Sequence, residues 1–114
     1  MSSYAAAFLI LAGKVDLWKD TLAQMEGHRR GEWEQLLREA GVTKLSTWLQ
    51  HTELGDFEIV YCEAEDPAKW ITVVATADNP TCRFLRHRML EMHGFDISKE
   101  LPQRNELIYH IDIA

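Results

Sequence analysis

The sequence predicts an α+β fold of β-α-β-β-α-β order, a ferredoxin-like chain with a four-stranded antiparallel sheet and both helical stretches on one face. Three observations predict it. A short apolar run, Ala5 to Ala12, precedes a segment whose apolar residues recur at gaps of three and four. Two β-branched, alternating segments then follow one another across a Gly-Asp turn. A second helical stretch, broken by Asp78-Asn79-Pro80, leads into a last alternating run, Leu107 to Ile113.

Each element has its own signal. Ala5 to Ala12, closed by Gly13-Lys14, reads as a buried first strand. From Val15 to Ala40, the residues Val15, Trp18, Leu22, Met25, Trp33, Leu36 and Ala40 mark one helical face. Asp16 and Asp20 near its start and Arg38 near its end suit the helix dipole, and Gly41 is the stop. Val42 to Thr52 alternates as a strand, with Thr43, Leu45, Thr47, Leu49 and His51 on one side and Trp48 on the other. Glu53-Leu54-Gly55-Asp56 is a turn, and Phe57 to Ala64 is the third strand. Asp66-Pro67 opens a helix with proline at its first position. After Asp78-Asn79-Pro80 a further helix carries Cys82, Leu85, Met89 and Met92 and stops at His93-Gly94. Leu107 to Ile113 is the fourth strand, with Leu107, Tyr109, Ile111 and Ile113 on one side and Ile108, His110 and Asp112 on the other.

Composition bounds what such a chain can do. At 114 residues, with 46% apolar and 26% charged side chains, it reads as one globular domain over residues 1–114. A net charge of −6 argues against nucleic acid and anionic membranes as partners, since both call for a basic surface. Cys62 and Cys82 form no metal-ligand spacing and read as buried free thiols in a reducing, cytoplasmic setting. Met1-Ser2-Ser3-Tyr4 lacks a basic leader, and Ala5 to Ala12 is far shorter than the roughly 20 residues that cross a bilayer. No phosphate loop, nucleophile elbow, dinucleotide fingerprint or paired metal ligands occur, so the sequence implies neither cofactor nor metal. A sheet whose second face carries Trp48 and neighbouring apolar residues needs cover, and a homodimer packed sheet to sheet supplies it.

Several residues stand where the pattern calls for something else. Arg29 falls in the arc of Trp18, Met25, Leu36 and Ala40, inside the apolar stripe of the first helix. A guanidinium there needs an acid, such as Glu26, Glu32 or Glu63, or a ligand anion, or a path to solvent. Gly27 and Gly31 bracket it, each costing about 1 kcal/mol against Ala in a helix interior, through a kink or a close approach to the sheet. Tyr61 and Glu63 share one face of the third strand, where Glu63 is either at the wet end or paired with Arg29. His110 and Asp112 share a face of the last strand and can orient an imidazole, or lie exposed. His28 is next to the Arg29 stripe, and Trp33 and Trp48 can line a pocket or belong to the core. His93, before Gly94, is explained by the helix dipole, and Arg83, Arg86, His87 and Arg88 read as a solvated flank.

The stretch Ile59-Val60-Tyr61-Cys62-Glu63-Ala64-Glu65-Asp66-Pro67-Ala68-Lys69-Trp70, with Trp48-Leu49 before it, resembles the strand-to-helix segment of L-rhamnose mutarotases of the dimeric α/β-barrel superfamily. Arg29 to Gly41 and Asn105 to His110 look closer still to an uncharacterised bacterial branch of that superfamily. The resemblance implies a ferredoxin-like protomer and a dimeric α/β barrel. Mutarotases carry a catalytic histidine four residues before a tryptophan on the first helix. Here Trp33 supplies the tryptophan, but Arg29 stands four residues earlier with His28 beside it, and arginine does not exchange protons near neutrality.

Two functions follow from these readings. One is a cofactor-free isomerase, mutarotase-like or cyclase-like, with a pocket between the first helix and the sheet. In it Arg29 holds an oxygen, His28 or His110 moves protons, Glu63 or Tyr61 orients the ligand, and Trp33 and Trp48 line the pocket. The alternative is a non-catalytic dimeric ligand-binding or structural module in which Arg29 forms an internal ion pair.

Overall fold

A computed structural model describes residues 2–102 and 105–113. Strand β1 (Ser2–Ile10) is followed by helices α1 (Val15–Glu26) and α2 (Arg30–Glu39), then by strands β2 (Val42–Thr52) and β3 (Gly55–Ala64). Helices α3 (Pro67–Thr76) and α4 (Pro80–His93) complete the regular elements. The sheet is antiparallel with order β1-β3-β2. No helix among the described residues is long and apolar enough to cross a membrane.

Local chemistry explains where the helices begin and end. Asp66 caps α3 by accepting a hydrogen bond from the Ala68 amide, and Asn79 caps α4 by accepting one from Cys82. In both, proline fills the first helical position, where its missing N–H costs nothing. The long helix expected over Val15 to Ala40 is instead two helices. At Gly27 the backbone leaves the helical region, and a Cβ there would come within 3.0 Å of the Ala23 carbonyl oxygen. The Arg29 amide reaches back to Gln24 at 3.1 Å and the Arg30 amide to Gly27 at 3.1 Å, so the helix is reset rather than ended. Gly31 has open space around it and plays no comparable part.

Register places every side chain of the sheet. Trp48 is opposite Ile59, and Ile59 is opposite Ala7. Tyr4, Ala6, Ile10, Val60, Cys62 and Ala64 are buried against the helices, joined there by Ile71, Val74, Ala75, Trp18 and Met92. All the helices therefore cover one face. The other carries Ala5, Ala7, Leu9, Phe57, Ile59, Tyr61 and Trp48, the last 54% exposed. Cys62 and Cys82 are buried free thiols.

The sheet departs from expectation in its strand count. Three strands form among the described residues, not four, and residues 107–113 lie outside the sheet. The outer edge of β1 is already occupied toward its C-terminal end. The Leu11 amide donates to the Met92 carbonyl at 2.7 Å, and the His93 ring bonds the Leu9 carbonyl at 2.8 Å. Farther back, the Asn105 amide donates to the Ala5 carbonyl at 3.0 Å, where a fourth strand would begin. An antiparallel strand aligned there meets only three more residues before β1 ends at Ser2.

Candidate active site

Between the sheet and the helices lies a cavity of ≈ 150 Å³. Its walls come from β1 (Tyr4, Phe8), α1 (Trp18, Met25), α2 (Trp33), β2 (Leu45, Thr47), β3 (Glu58, Val60), α3 (Trp70) and α4 (Leu85, Met89, Met92). Pro102 and Ile97, from the segment after α4, close one end. The lining is apolar apart from a few groups, and Glu58 is its one ionisable acid.

Glu58 faces the helices because it has the same parity on β3 as Val60, Cys62 and Ala64. Its Oε1 lies 2.9 Å from Nε2 of His93, the last residue of α4. The two side chains are 14% and 2% exposed, so this is a buried pair. The other imidazole nitrogen, Nδ1, is 2.8 Å from the Leu9 carbonyl oxygen, which can only accept, so Nδ1 carries a hydrogen and donates it. Nε2 and the carboxylate oxygen then need one further proton between them, since neither bare atom can donate. Glu58, in the wall of the apolar cavity, is thus hydrogen-bonded to an imidazole that does not itself line it. The Phe8 ring lies 5.3 Å from the imidazole and fixes its plane.

Two further buried donors belong to residues of the cavity wall. The indole Nε1 atoms of Trp18 and Trp70 are buried and have no hydrogen-bond partner among the described residues. Both residues line the cavity. An unpaired buried donor costs about 1–3 kcal/mol, and a ligand oxygen would remove that cost. Trp70 is held edge-on to Tyr4, ring centroids 6.1 Å apart.

The residues singled out from the sequence are dispersed. Trp33 lines the cavity; the other six do not. Arg29, at the junction of α1 and α2, places its guanidinium carbon 4.0 Å from the centre of the Phe84 ring on α4. Its Nε is buried with no hydrogen-bond partner among the described residues. Its charge helps hold the neighbouring Glu32 carboxyl below the usual range, after the larger effect of the Thr81 amide, which donates to Glu32 at 2.9 Å. His28 is exposed. Tyr61, Glu63 and Trp48 are on the open sheet face, where Glu63 meets Lys44 at 3.3 Å. Burial, and then the bond to Glu63, raises the Tyr61 phenol above its ordinary value. His110 meets Asp112 at 3.0 Å in the exposed C-terminal segment.

Glu58, His93, Trp18 and Trp70 were not singled out. The signal for Glu58 was parity: a carboxylate two residues before Val60 on the buried face of β3. His93 had an adequate local explanation in the helix dipole, and nothing local reveals that α4 ends over β1. Two members of the basic run on α4 are not solvated either. Arg86 donates to the Val74 and Ala77 carbonyls, and Arg88 to Asp20 and Thr21. Among the described residues no group of three or more His, Cys, Asp or Glu is arranged to hold a metal.

No family model matches the chain, and no curated protein matches it. A solved structure does. The crystal structure of an L-rhamnose mutarotase from Formosa agariphila superposes with a TM-score of 0.68, covering 98% of this chain and 100% of that one at 14% identity. The chain therefore has the α+β fold of that mutarotase, helices on an antiparallel sheet, as the resemblance implied.

Proposed function

We propose that the protein is a cofactor-free isomerase, mutarotase-like or cyclase-like, acting on a small and mostly apolar ring compound that carries a carbonyl or hemiacetal oxygen. One observation carries this reading: an apolar cavity lined by Glu58, whose carboxylate bonds to the His93 imidazole, and by two tryptophans whose buried N–H groups have no partner among the described residues. The pair lends a proton to a ring oxygen and takes one from a hydroxyl, opening and reclosing a hemiacetal without a cofactor. Trp18 and Trp70 donate to ligand oxygens, and Trp33 packs on the ring. The cavity, at ≈ 150 Å³, suits a ligand near benzene in size. Each unpaired hydroxyl buried there would cost about 1–3 kcal/mol, which disfavours heavily hydroxylated sugars. The mutarotase likeness supports the fold that places the pair, not the substrate.

The same reading takes the working unit to be a homodimer packed through the open sheet face around Trp48. It places that dimer in the cytoplasm, where buried free thiols stay reduced. A second reading, a binding module without chemistry, is favoured by the small cavity and by Arg29 stacked within the fold on Phe84.

Exchange NMR separates the two. With 2-hydroxytetrahydropyran and L-rhamnose as probes, wild-type protein should accelerate ring-to-aldehyde or anomer exchange, the former more strongly. Glu58→Gln should lose about 10²-fold or more of that acceleration. Acceleration equal in wild type, Glu58→Gln and His93→Gln, or none with either probe, would overturn the isomerase. Binding without acceleration would leave the binding module.

A further inference from the structure

The segment after α4 gives the cavity one deeply buried side chain from a stretch that is otherwise surface. The chain leaves α4 through Gly94, whose left-handed backbone (φ 66°) favours glycine, and continues as residues 95–102. Ser98, Lys99 and Glu100 are exposed and Leu101 is 57% exposed, yet Ile97 among them is only 4% exposed. Ile97 belongs to the core cluster of Tyr4, Val60, Ile71 and Val74, and it lines the cavity together with Trp70.

The turn that carries Ile97 holds its own shape. Oδ1 of Asp96 accepts hydrogen bonds from the Ser98 amide, at 3.1 Å, and from the Ser98 hydroxyl. The Asp96 carbonyl accepts from the Lys99 and Glu100 amides at 3.1 and 3.2 Å. Among the described residues no backbone hydrogen bond joins residues 95–102 to the sheet or the helices. The seating is apolar: Ile97 itself, Pro102 in the cavity wall, and Phe95, whose ring centroid is 6.4 Å from that of Phe8. A turn braced from within keeps its backbone when the Ile97 side chain is shortened, so the vacated volume joins the cavity.

The cavity walls differ in how far they yield. Met25, Met89 and Met92 line it from α1 and α4, and unbranched thioethers rearrange around a ligand at little cost. Isoleucine is branched at Cβ and confined to few χ1 values, so the wall at Ile97 does not give. Val60, Ile71 and Val74 are as stiff, but they stand in β3 and α3, where a change unsettles a regular element. Ile97 is the stiff wall that can be resized without touching a strand or a helix.

We propose that Ile97 is the specificity-determining residue of the cavity: its branched side chain, presented by the turn that Asp96 braces, sets the largest ring the protein accepts. With Ile97 in place the ≈ 150 Å³ takes a ring near benzene in size and refuses an alkyl branch on it. Ile97→Ala deletes Cγ1, Cγ2 and Cδ1, which makes room for a propyl group. The inference rests on the ring-binding cavity proposed above, and not on proton transfer by Glu58.

NMR titration with 2-hydroxytetrahydropyran and with its 6-propyl derivative tests it, the exchange of each ring being followed in the same samples. Wild-type protein should bind the parent ring about tenfold or more tighter than the propyl ring. Ile97→Ala should bring that ratio to one or below. Ile97→Val, which lacks only Cδ1 and keeps the core nearly filled, should move the ratio about threefold in the same direction, so the test survives an alanine variant that does not fold. Leu101→Ala, an exposed change in the same segment, should leave the ratio as in wild type. A folded Ile97→Ala or Ile97→Val with the wild-type ratio overturns the proposal, and so does an equal shift in Leu101→Ala. Binding of neither ring overturns it together with the cavity reading. Acceleration absent from wild type, with the ratio moving as expected, refutes the isomerase and leaves Ile97 as the size limit. Acceleration present, with a ratio that Ile97 does not move, refutes the size limit alone.

Discussion

Replacing His93 by Phe removes the partner of a buried carboxylate while keeping a ring beside Phe8. The His93 side chain is 2% exposed and that of Glu58 14%, so the Glu58 carboxyl would be left without a partner in an apolar wall, with little solvent to replace the imidazole. Breaking a buried pair from one side costs about 3–5 kcal/mol. The residual exposure of Glu58 and the loss of only one further bond, to Leu9, place the expectation near the lower end, about 3 kcal/mol. For a chain of this length that lowers Tm by about 12 °C. Replacing both partners, Glu58→Leu with His93→Phe, should recover most of the loss, because an apolar pair of similar volume is often as stable as the ion pair. Urea unfolding followed by tryptophan fluorescence gives all four corners of the cycle. The expected coupling is about 2 kcal/mol. If His93→Phe lies within about 0.5 kcal/mol of wild type, or if the two single costs simply add, the pair is not the buried proton-sharing unit described here.

Three other outcomes are expected. The Thr81 amide holds the Glu32 carboxyl below its ordinary value, so this group contributes stability above about pH 4.3 that is lost as pH falls further; Glu32→Gln should flatten the acid limb of the urea midpoint measured from pH 6 to pH 3. Burial and the bond to Glu63 raise the Tyr61 phenol, so its contribution is present below about pH 10 and is lost as pH rises; absorbance titration at high pH should show one late-ionising tyrosine, and Glu63→Gln should bring it down. Trp48→Glu puts a charge on the open sheet face without touching the cavity, and should leave the fold intact while weakening self-association by tenfold or more in sedimentation.

Element order and helix ends were legible because they rest on local chemistry. Asp66-Pro67 and Asn79-Pro80 cap and start α3 and α4 by side-chain bonds two and three residues away, and His93-Gly94 stops α4 at a glycine in the left-handed region. The break at Gly27 was visible as a glycine where helices avoid it, although the resulting two-helix geometry was not. The fourth strand expected over Leu107 to Ile113 does not form among the described residues, because an alternating pattern makes a strand only where a sheet edge is free to pair with it. The site was less legible for the same reason. Glu58 and His93 are 35 residues apart and meet only because α4 ends over the β1–β3 ladder. Arg29 drew attention as a charge in an apolar stripe, but the turn at Gly27 rotates it onto Phe84 and off the cavity lining.

The proposed isomerase binds a small ring in the cavity between sheet and helices through the two tryptophan donors and Glu58. Titrating ¹⁵N-labelled protein with 2-hydroxytetrahydropyran, while following the four indole Nε1–H signals, tests it most directly. Saturable shifts are expected for Trp18 and Trp70, none for the exposed Trp48, and altered shifts in Glu58→Gln. Movement of Trp48 alone, or no saturable change at Trp18 and Trp70 in the millimolar range, would contradict it.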